Sequence, residues 1–580
     1  MENLDWIVLS STLLFIVIYG ALKTKGSANV KDYLLDNNET PWFTVGLSVM
    51  ATQASAITFL STPGQAYHDG MGFVQFYFGL PLAMIVIAYT FIPIYHKLKV
   101  YTAYEYLEQR FDVRTRTLAA ILFLIQRGLG TGITIYAPSI ILSALLGWNL
   151  TMLNIIIGTL VIVYTVTGGT KAVNVTQKHQ MFVILLGMFI TFFLILDYLP
   201  EDLDFGNVLH VAGANGKMNI LDFSYNPKTR YTFWSGITGG FFLMLSYFGT
   251  DQSQVGRYLS GKSVKESQMG LIMNGVLKVP MQFFILLTGV LVFVFFQFND
   301  APLHFNPNNV NKVKQSTYKV DYEKIEEKLH VVNEEKKVVN KIYIEQLQHN
   351  DFDNPALRKQ MVALSLKEKE LREDAKEIIK KVDNGSEIND KDYVFLYFIL
   401  HYLPKGLLGL LLAVIFSAAM SSSASGLNSL AATTAIDIYK RNKGNKSDKH
   451  YVYATQYFTL FWGIIAIGFA CISSLFENLI QLVNIIGSIF YGTVLGIFLV
   501  GFYIKYVKGN AIFIGACISQ TIILIIYYFY IHIQPEEDKL SYLWLNFIGV
   551  VLTLLLSILI QKLSNNGSDN SDLKIEEKLA

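Results

Sequence analysis

Apolar runs about as long as a bilayer is thick recur along the chain, separated by short polar segments. A helix needs roughly 20 apolar residues to cross a hydrocarbon core of about 30 Å. Thirteen stretches meet this requirement and are predicted to be transmembrane helices: about 5–23, 42–67, 72–98, 117–146, 149–168, 180–199, 231–249, 269–297, 405–438, 450–474, 478–505, 510–531 and 541–562. The pattern therefore predicts an all-α polytopic membrane protein in a lipid bilayer.

Composition narrows the class of protein further. The chain has 580 residues, of which 52% are hydrophobic and 16% are charged, and its net charge is +2. It is too apolar for an ordinary soluble protein, and its small net charge gives no reason to expect a nucleic acid partner. The sequence contains neither the HExxH nor the GxSxG motif of hydrolytic enzymes. We therefore expect a protein that is not an enzyme.

Loop charge predicts the orientation. Lys and Arg concentrate in the short loops after odd-numbered helices, for example "KTKGSANVK", "YKRNKGNKSDKH" and "KYVKGN". By the positive-inside rule the N-terminus then lies outside and, with thirteen helices, the C-terminus lies inside. The first apolar run follows the acidic "MENLD", which is unlike a cleaved signal peptide. We expect a multi-pass protein of the cell (cytoplasmic) membrane.

A polar segment at 299–392 separates helices 1–8 (1–298) from helices 9–13 (393–563). Its charged central part and thin apolar stripe predict a helical hairpin on the extracytoplasmic face. Three roles stay open for this insertion: a solvated spacer, a lid, or a binding module for another envelope protein. The tail at 564–580 is polar, and we expect it to be disordered and cytoplasmic.

Two predicted helices contain unusually polar segments. They are "ATQASAITFLSTPGQAY" (51–67), where Pro63-Gly64 is expected to interrupt the helix, and "AVIFSAAMSSSASGLNSLAATTAIDIY" (413–439). Broken helices and hydroxyls at membrane depth are tolerated around cavities, and transporters use them to bind a cation and a solute. The alternative is helix packing, with hydroxyls bonded to carbonyls one turn earlier. Neither 51–62 nor 417–428 has a titratable side chain, which favours sodium over a proton as coupling ion.

The order of motifs resembles that of a known family. Together with the two polar segments, "KLKVYTAYEYLEQRFDVRTR", "YTVTGGTKAV" and "GRYLSGKSVKES" resemble the sodium:solute symporter family from about residue 5 to 505. The resemblance implies a LeuT-type fold of two five-helix inverted repeats with flanking helices. The first repeat would cover about 42–199 and the second would start at about 231–298.

The resemblance also implies a function. It predicts secondary active import of a small organic solute, with Na+ as coupling ion, by alternating access. The solute would be a sugar or polyol, a carboxylate or a vitamin, and "GLGTGITIYAPS" looks like the branch that carries vitamins, monocarboxylates and anions. The alternatives are a transporter-like sensor or scaffold acting through the insertion, or a proton-coupled carrier.

Family positions imply a sodium site where the two polar segments meet. Its ligands would be the carbonyls of Ala51, Ala54 and Ala418 and the hydroxyls of Ser421 and Ser422.

Some members use a second sodium site with an aspartate and an additional serine. The matching residues here are Gln177 and Ala424, while Ser425 is kept. Because the carboxylate that would offset a second cation is lost, we predict one coupled sodium.

Solute-binding residues carry over less well. Tyr247 and Lys278 match a gate tyrosine and a pathway lysine of sugar-transporting members. Three other sugar-binding positions depart from the pattern of these members, namely Thr58, Tyr77 and Met244. Gly130 stands where sialic acid transporters place a carboxylate-binding arginine, and Arg127 lies one turn earlier. The predicted pocket residues are Gln53, Thr58, Gln75, Tyr77, Tyr247 and Lys278.

Overall fold

The computed structural model describes the backbone of residues 3–23, 30–201, 203–348, 354–383, 388–404, 406–444, 446–472, 479–535 and 537–579. Side chains are described for the same residues except 16, 17, 19–23, 30, 32, 36, 164, 167–175 and 565–579. The tail predicted to be disordered has no described side chains beyond 564, and its disorder stays a prediction.

Most of the described chain is helical. Its first half contains α1 (Asn3–Lys23), α2 (Val30–Leu35), α3 (Trp42–Gln53), α4 (Ala56–Asp69), α5 (Leu80–Val86), α6 (Ile92–Leu98), α7 (Glu105–Arg110), α8 (Val113–Leu146), α9 (Leu150–Asp197), α10 (Phe205–Ala214), α11 (Phe233–Ser235), α12 (Phe241–Thr250), α13 (Gln252–Leu259) and α14 (Val264–Phe298). Its second half contains α15 (Pro307–Lys314), α16 (Lys319–Gln348), α17 (Pro355–Val382), α18 (Lys391–Tyr402), α19 (Leu407–Thr433), α20 (Arg441–Lys443), α21 (Asp448–Ile472), α22 (Leu479–Tyr503), α23 (Gly509–Tyr527) and α24 (Leu543–Leu579). Short 3-10 or π-helical stretches lie at Asp36–Asn38, Gly70–Tyr77, Ile87–Phe91, Gly236–Gly240, Thr434–Lys440 and Tyr528–His532. Among the described residues, β pairing is limited to an isolated bridge between Thr40 and Gly261.

Many of these helices are suited to a membrane. Within the described ranges, nine helical segments are long and apolar enough to cross one: Ala56–Leu98, Val113–Leu146, Thr176–Asp197, Val264–Phe298, Leu407–Lys443, Asp448–Ile472, Leu479–Tyr503, Gly509–His532 and Leu543–Ser564. Asn3–Phe15 and Leu150–Val163 are apolar but shorter. The protein is therefore a multi-pass membrane protein, while thirteen spans and the orientation of the termini stay predictions.

Helix α9 covers two of the predicted spans. It has 48 residues, which corresponds to about 72 Å of helix and exceeds a single bilayer crossing. Its two parts contact different neighbours: the Asn154 side chain donates to the carbonyl of Ala470 in α21, whereas Gln177 bonds Thr52 in α3 and Ser425 in α19. The second part thus lies beside both polar segments.

The first polar segment is a broken helix, but the break is not at the proline. Helix α3 ends at Gln53 and α4 starts at Ala56, with Ala54 and Ser55 between them. The expectation that Pro63-Gly64 interrupts the helix was wrong, because α4 continues through Pro63 to Asp69. Removal of one backbone hydrogen bond is tolerated in a helix that neighbouring helices hold firmly. Here a β-carbon at Gly64 would collide with the carbonyl of Lys391, so the backbones are in close contact.

The insertion forms two long helices, α16 and α17, that pack on each other and on the rest of the protein. Lys336 in α16 pairs with Glu368 in α17 at 2.6 Å. Ser365 in α17 donates to the Asn215 side chain at 3.0 Å, and Asn340 in α16 donates to the carbonyl of Gln297 in α14 at 3.4 Å. The insertion is therefore attached through both of its long helices as well as through its two chain ends.

Candidate functional site

A cavity of about 90 Å³ lies beside the break in the first polar segment. The broken helix, α8, α12, α22 and the 3-10 turn after α4 surround it. Its lining residues are Gln53, Ser55, Ile57, Thr58, Phe76, Tyr77, Arg127, Leu243, Met244, Tyr247, Ile480, Val483, Asn484 and Tyr491. Since one water needs roughly 10–15 Å³ of such space, the cavity has room for several water molecules or one small solute.

Four of the six predicted solute residues line this cavity. They are Gln53, Thr58, Tyr77 and Tyr247, contributed by the broken helix, the 3-10 turn after α4 and α12. The Gln53 Oε1 atom is buried and has no hydrogen-bond partner among the described residues. A buried acceptor without a partner is costly unless a ligand or water bonds it, so Gln53 is suited to bind a donor on a solute.

The other two predicted residues are not among the lining residues. The Gln75 amide donates to the carbonyl of Tyr231 at 3.0 Å and accepts from the Asp222 amide at 2.9 Å, which is a structural arrangement. Lys278 is fully buried in α14, and its ammonium has no hydrogen-bond partner among the described residues. Both residues therefore stay predictions without support from the cavity geometry.

Arg127 is the cationic side chain among the lining residues. Its Nη2 lies 3.6 Å from Oδ1 of Asp251 and donates to the hydroxyl of Ser253. Its guanidinium lies over the Tyr247 ring, 5.5 Å from the centroid, and its Nε has no hydrogen-bond partner among the described residues. The sequence carried a signal for this role, because an arginine inside an apolar span is a functional candidate.

Asn484 and Tyr491 were missed because they lie in α22, more than 200 residues after the rest of the site. The Tyr491 hydroxyl donates to Oδ2 of Asp251 at 3.0 Å and accepts from the Gln126 amide at 3.0 Å. Nothing in the sequence pattern of α22 distinguishes these residues from helix-packing residues.

The predicted sodium ligands come together between the broken helix and α19. Ala51, Ala54, Ala418, Ser421 and Ser422 are all buried. The amide of Ser55, which would bond the Ala51 carbonyl in a continuous helix, bonds the Gln53 carbonyl instead at 2.9 Å. The Ala51 carbonyl is then approached by the Ser421 hydroxyl at 3.4 Å, a long contact.

Among the predicted ligands, Ser422 forms the hydrogen bond that is expected when a serine only serves helix packing. Ser422 donates to the Ala418 carbonyl one turn earlier at 2.6 Å. Because the hydroxyl oxygen keeps its lone pairs, this bond leaves it able to accept a cation. A cluster of neutral carbonyl and hydroxyl oxygens is the ligand type that a small hard cation prefers.

Gln177 occupies the centre of a separate polar cluster. Its Oε1 accepts from Ser48 at 2.6 Å, and its Nε2 donates to Ser425 at 2.9 Å and to Thr52 at 3.1 Å. The amide nitrogen therefore satisfies the hydroxyls that a second cation would need as ligands.

Comparison with known proteins agrees with these observations. The sequence profile of the sodium:solute symporter family matches residues 33–322 and 376–519. The interval left between them covers most of α16 and α17.

Individual relatives share much of the chain. Sodium-coupled monocarboxylate transporter 1 of Xenopus laevis is 27% identical over 514 residues, which are 88% of this chain and 70% of that protein. The Homo sapiens sodium/iodide cotransporter is 31% identical over 283 residues, 48% of this chain and 43% of that protein. The sodium-dependent multivitamin transporter of Oryctolagus cuniculus is 26% identical over 511 residues, 86% of this chain and 66% of that protein.

A solved structure shares the fold. The outward-open, substrate-bound structure of a Na+-coupled sialic acid symporter aligns with a TM-score of 0.72 at 23% identity, covering 97% of this chain and 98% of that chain. The fold is therefore of the LeuT type.

Proposed function

Since the chain belongs to the sodium:solute symporter family, in which sodium-coupled transport of small solutes is the shared activity, we propose that it imports a small monocarboxylate with one sodium ion. The observation that carries the proposal is the Arg127 guanidinium in the wall of the cavity. Guanidinium binds carboxylates through paired, charge-assisted hydrogen bonds. The small volume of the cavity favours a short monocarboxylate over a sugar acid.

The sodium ion would bind where the broken helix meets α19. Its ligands would be the carbonyls of Ala51, Ala54 and Ala418 and the hydroxyls of Ser421 and Ser422. The long contact between Ser421 and Ala51 supports this assignment, because a cation between the two oxygens would replace a weak hydrogen bond. Bound sodium would connect the two polar segments and order the wall of the solute cavity, which starts at Gln53.

The polar cluster around Gln177 supports coupling to one sodium ion instead of two. An amide there already donates to Ser425 and Thr52, and its charge is zero, so a second cation would meet neither free oxygens nor a compensating carboxylate. One sodium and one monovalent anion together carry no net charge. Import would then be driven by the sodium gradient alone, which at tenfold supplies about 1.4 kcal/mol and supports about tenfold accumulation.

The chain would cross the cytoplasmic membrane thirteen times, with its N-terminus outside and its C-terminus inside. This topology places the insertion at 299–392 on the extracytoplasmic side and the basic loops in the cytoplasm.

The test is uptake by the purified protein in liposomes with an inward sodium gradient. Labelled lactate is expected to accumulate about tenfold, independently of an imposed potassium-diffusion potential, and unlabelled pyruvate is expected to compete where galactose, sialic acid and biotin do not. Transport of galactose or biotin instead of lactate would contradict the proposed solute.

Two serine variants test the ion site. Ser421→Ala combined with Ser422→Ala is expected to abolish sodium-dependent uptake and the stabilisation of the protein by sodium against heat. Ser429→Ala is the matched control, because Ser429 is also a buried serine of α19 and bonds back to the Gly426 carbonyl at 2.8 Å. A double variant that retains sodium stabilisation would show that the ion binds elsewhere.

A further inference from the structure

A second, smaller cavity lies next to the first one. It has a volume of about 10 Å³ and is lined by residues that include Gln126, Asp251 and Tyr491. Tyr491 lines both cavities, whereas Arg127 lines only the larger one and Asp251 only the smaller one. These three residues therefore form the partition between the two cavities.

The smaller cavity lies on the side predicted to be cytoplasmic. Tyr104, another of its lining residues, follows the basic loop "HKLKV", and Asp251 precedes the basic loop "GRYLSGKSVK". Both loops are assigned to the cytoplasm by the charge rule. A solute that leaves the larger cavity towards the cytoplasm would have to pass this partition.

Asp251 holds the partition together. Its Oδ1 accepts from the amide and the hydroxyl of Ser253 at 2.9 and 2.6 Å, and its Oδ2 accepts from Tyr491 at 3.0 Å. Arg127 does not bond Asp251 directly, because its Nη2 lies 3.6 Å from Oδ1 and donates to the Ser253 hydroxyl instead, whereas a charge-assisted hydrogen bond is usually about 2.7–2.9 Å long. The aspartate is thus firmly fixed, and the arginine is linked to it through Ser253.

Resting on the monocarboxylate proposal above, we infer that Asp251 is a positioning residue that competes with the transported anion for Arg127 and thereby drives anion release to the cytoplasm. With an anion bound, Arg127 faces two negative charges, one on each side, and the accompanying sodium ion compensates the extra charge. Once sodium has left, the anion and Asp251 repel one another across a partition of low polarity. Arg127 then returns to Asp251, and the anion is released.

Asp251→Asn is the direct test, since asparagine keeps the size and one of the two acceptor oxygens but removes the charge. In liposomes the KM for lactate is expected to fall about threefold and kcat to fall about tenfold, because the anion binds without a competitor and leaves slowly. A residue that only supported the fold would lower the amount of active protein and leave KM unchanged. An unchanged or raised KM in a variant that sodium still stabilises against heat would overturn the inference.

Asp437→Asn is the matched control. Asp437 is equally buried and pairs with Arg116 at 2.7 Å, but neither residue lines the cavity. It is expected to leave KM unchanged. If liposomes that contain the wild-type protein take up no monocarboxylate, the proposed function itself is overturned, and the inference with it.

Tyr491→Phe provides a second, independent readout. It removes the hydroxyl that joins α22 to Asp251 and keeps the ring. Sodium-independent efflux of lactate from loaded liposomes is expected to rise about threefold, because the partition is no longer held closed. If Asp251→Asn fails to fold, an efflux rate in Tyr491→Phe equal to that of the wild type would overturn the inference.

Discussion

Two buried arginine–carboxylate groups in this molecule differ in how firmly they are paired. In the insertion, Glu368 has one oxygen 2.6 Å from Lys336 and the other 2.9 Å from Arg372. At the solute cavity, Arg127 lies 3.6 Å from Asp251 and donates from the same nitrogen to Ser253. Direct pairing with a carboxylate at 2.6–2.9 Å indicates a structural role, whereas a longer separation beside a cavity leaves the guanidinium available for a ligand.

The two cations beside Glu368 keep its carboxylate ionised. Burial alone would raise the pKa of Glu368, but Lys336 and Arg372 outweigh it and lower the pKa to about 2. Arg372 also lies over the Phe305 ring, 4.9 Å from its centroid. The carboxylate therefore remains charged at any pH that a living cell experiences, and it holds α16 and α17 together.

The largest effect is expected from Arg127→Gln. Loss of a charged, paired contact to the carboxylate should lower kcat/KM for lactate about 1,000-fold, which corresponds to about 4 kcal/mol. Sodium should still stabilise the variant against heat, because the predicted ion site lies elsewhere. Arg372→Gln is the control, and its lactate transport per folded molecule should match that of the wild type. If both variants lost transport to the same extent, Arg127 would not be distinguished from Arg372 as the arginine that binds the solute.

Glu368→Gln is expected to act on stability instead of transport. It leaves Lys336 and Arg372 without their shared carboxylate, and breaking a buried ion pair costs about 3 kcal/mol. Amide hydrogen exchange in α16 and α17 should speed up, while the KM for lactate stays the same. Glu373→Gln is the matched control, because Glu373 pairs with Lys376 at the exposed surface and such pairs contribute little. A changed KM in Glu368→Gln would mean that the insertion acts on the cavity.

The sequence predicted the general architecture better than the individual side chains. Apolar runs predicted a multi-pass helical membrane protein, and the polar groups of residues 51–62 indicated a broken helix. The position of the break, at Ala54 and Ser55, could not be read from Pro63, because packing against α14 and α18 keeps the helix intact there. Gln75 and Tyr77 are two residues apart, and only the three-dimensional structure shows that Tyr77 faces the cavity while Gln75 bonds the backbone.

Lowering the pH from 4.5 to 2 should destabilise the packing of α16 on α17. The pKa of Glu368 is lowered in the folded state, so its stabilisation is fully present above the unfolded value of 4.5 and is lost as the pH falls towards about 2. Exchange in α16 and α17, corrected for the intrinsic effect of pH, should therefore increase between pH 4.5 and 2. In Glu368→Gln this part of the pH dependence should disappear. A wild-type insertion that is equally stable across the range would contradict the assigned ion pairs.

The smallest change is expected from Gln177→Asp, which tests whether a satisfied polar cluster can be converted into an ion site. The aspartate would still offer Ser48 an acceptor, and it would have a second oxygen in place of the amide nitrogen that now donates to Ser425 and Thr52. Its charge would offset the desolvation of a second sodium ion. The Hill coefficient for sodium should then rise from about 1 to about 2, and each cycle should carry one net charge, so that a potential of 100 mV adds about 2.3 kcal/mol. Gln177→Asn is the control and should leave uptake insensitive to potential. If the wild type already showed a Hill coefficient near 2, the amide would not be what limits this protein to one sodium ion.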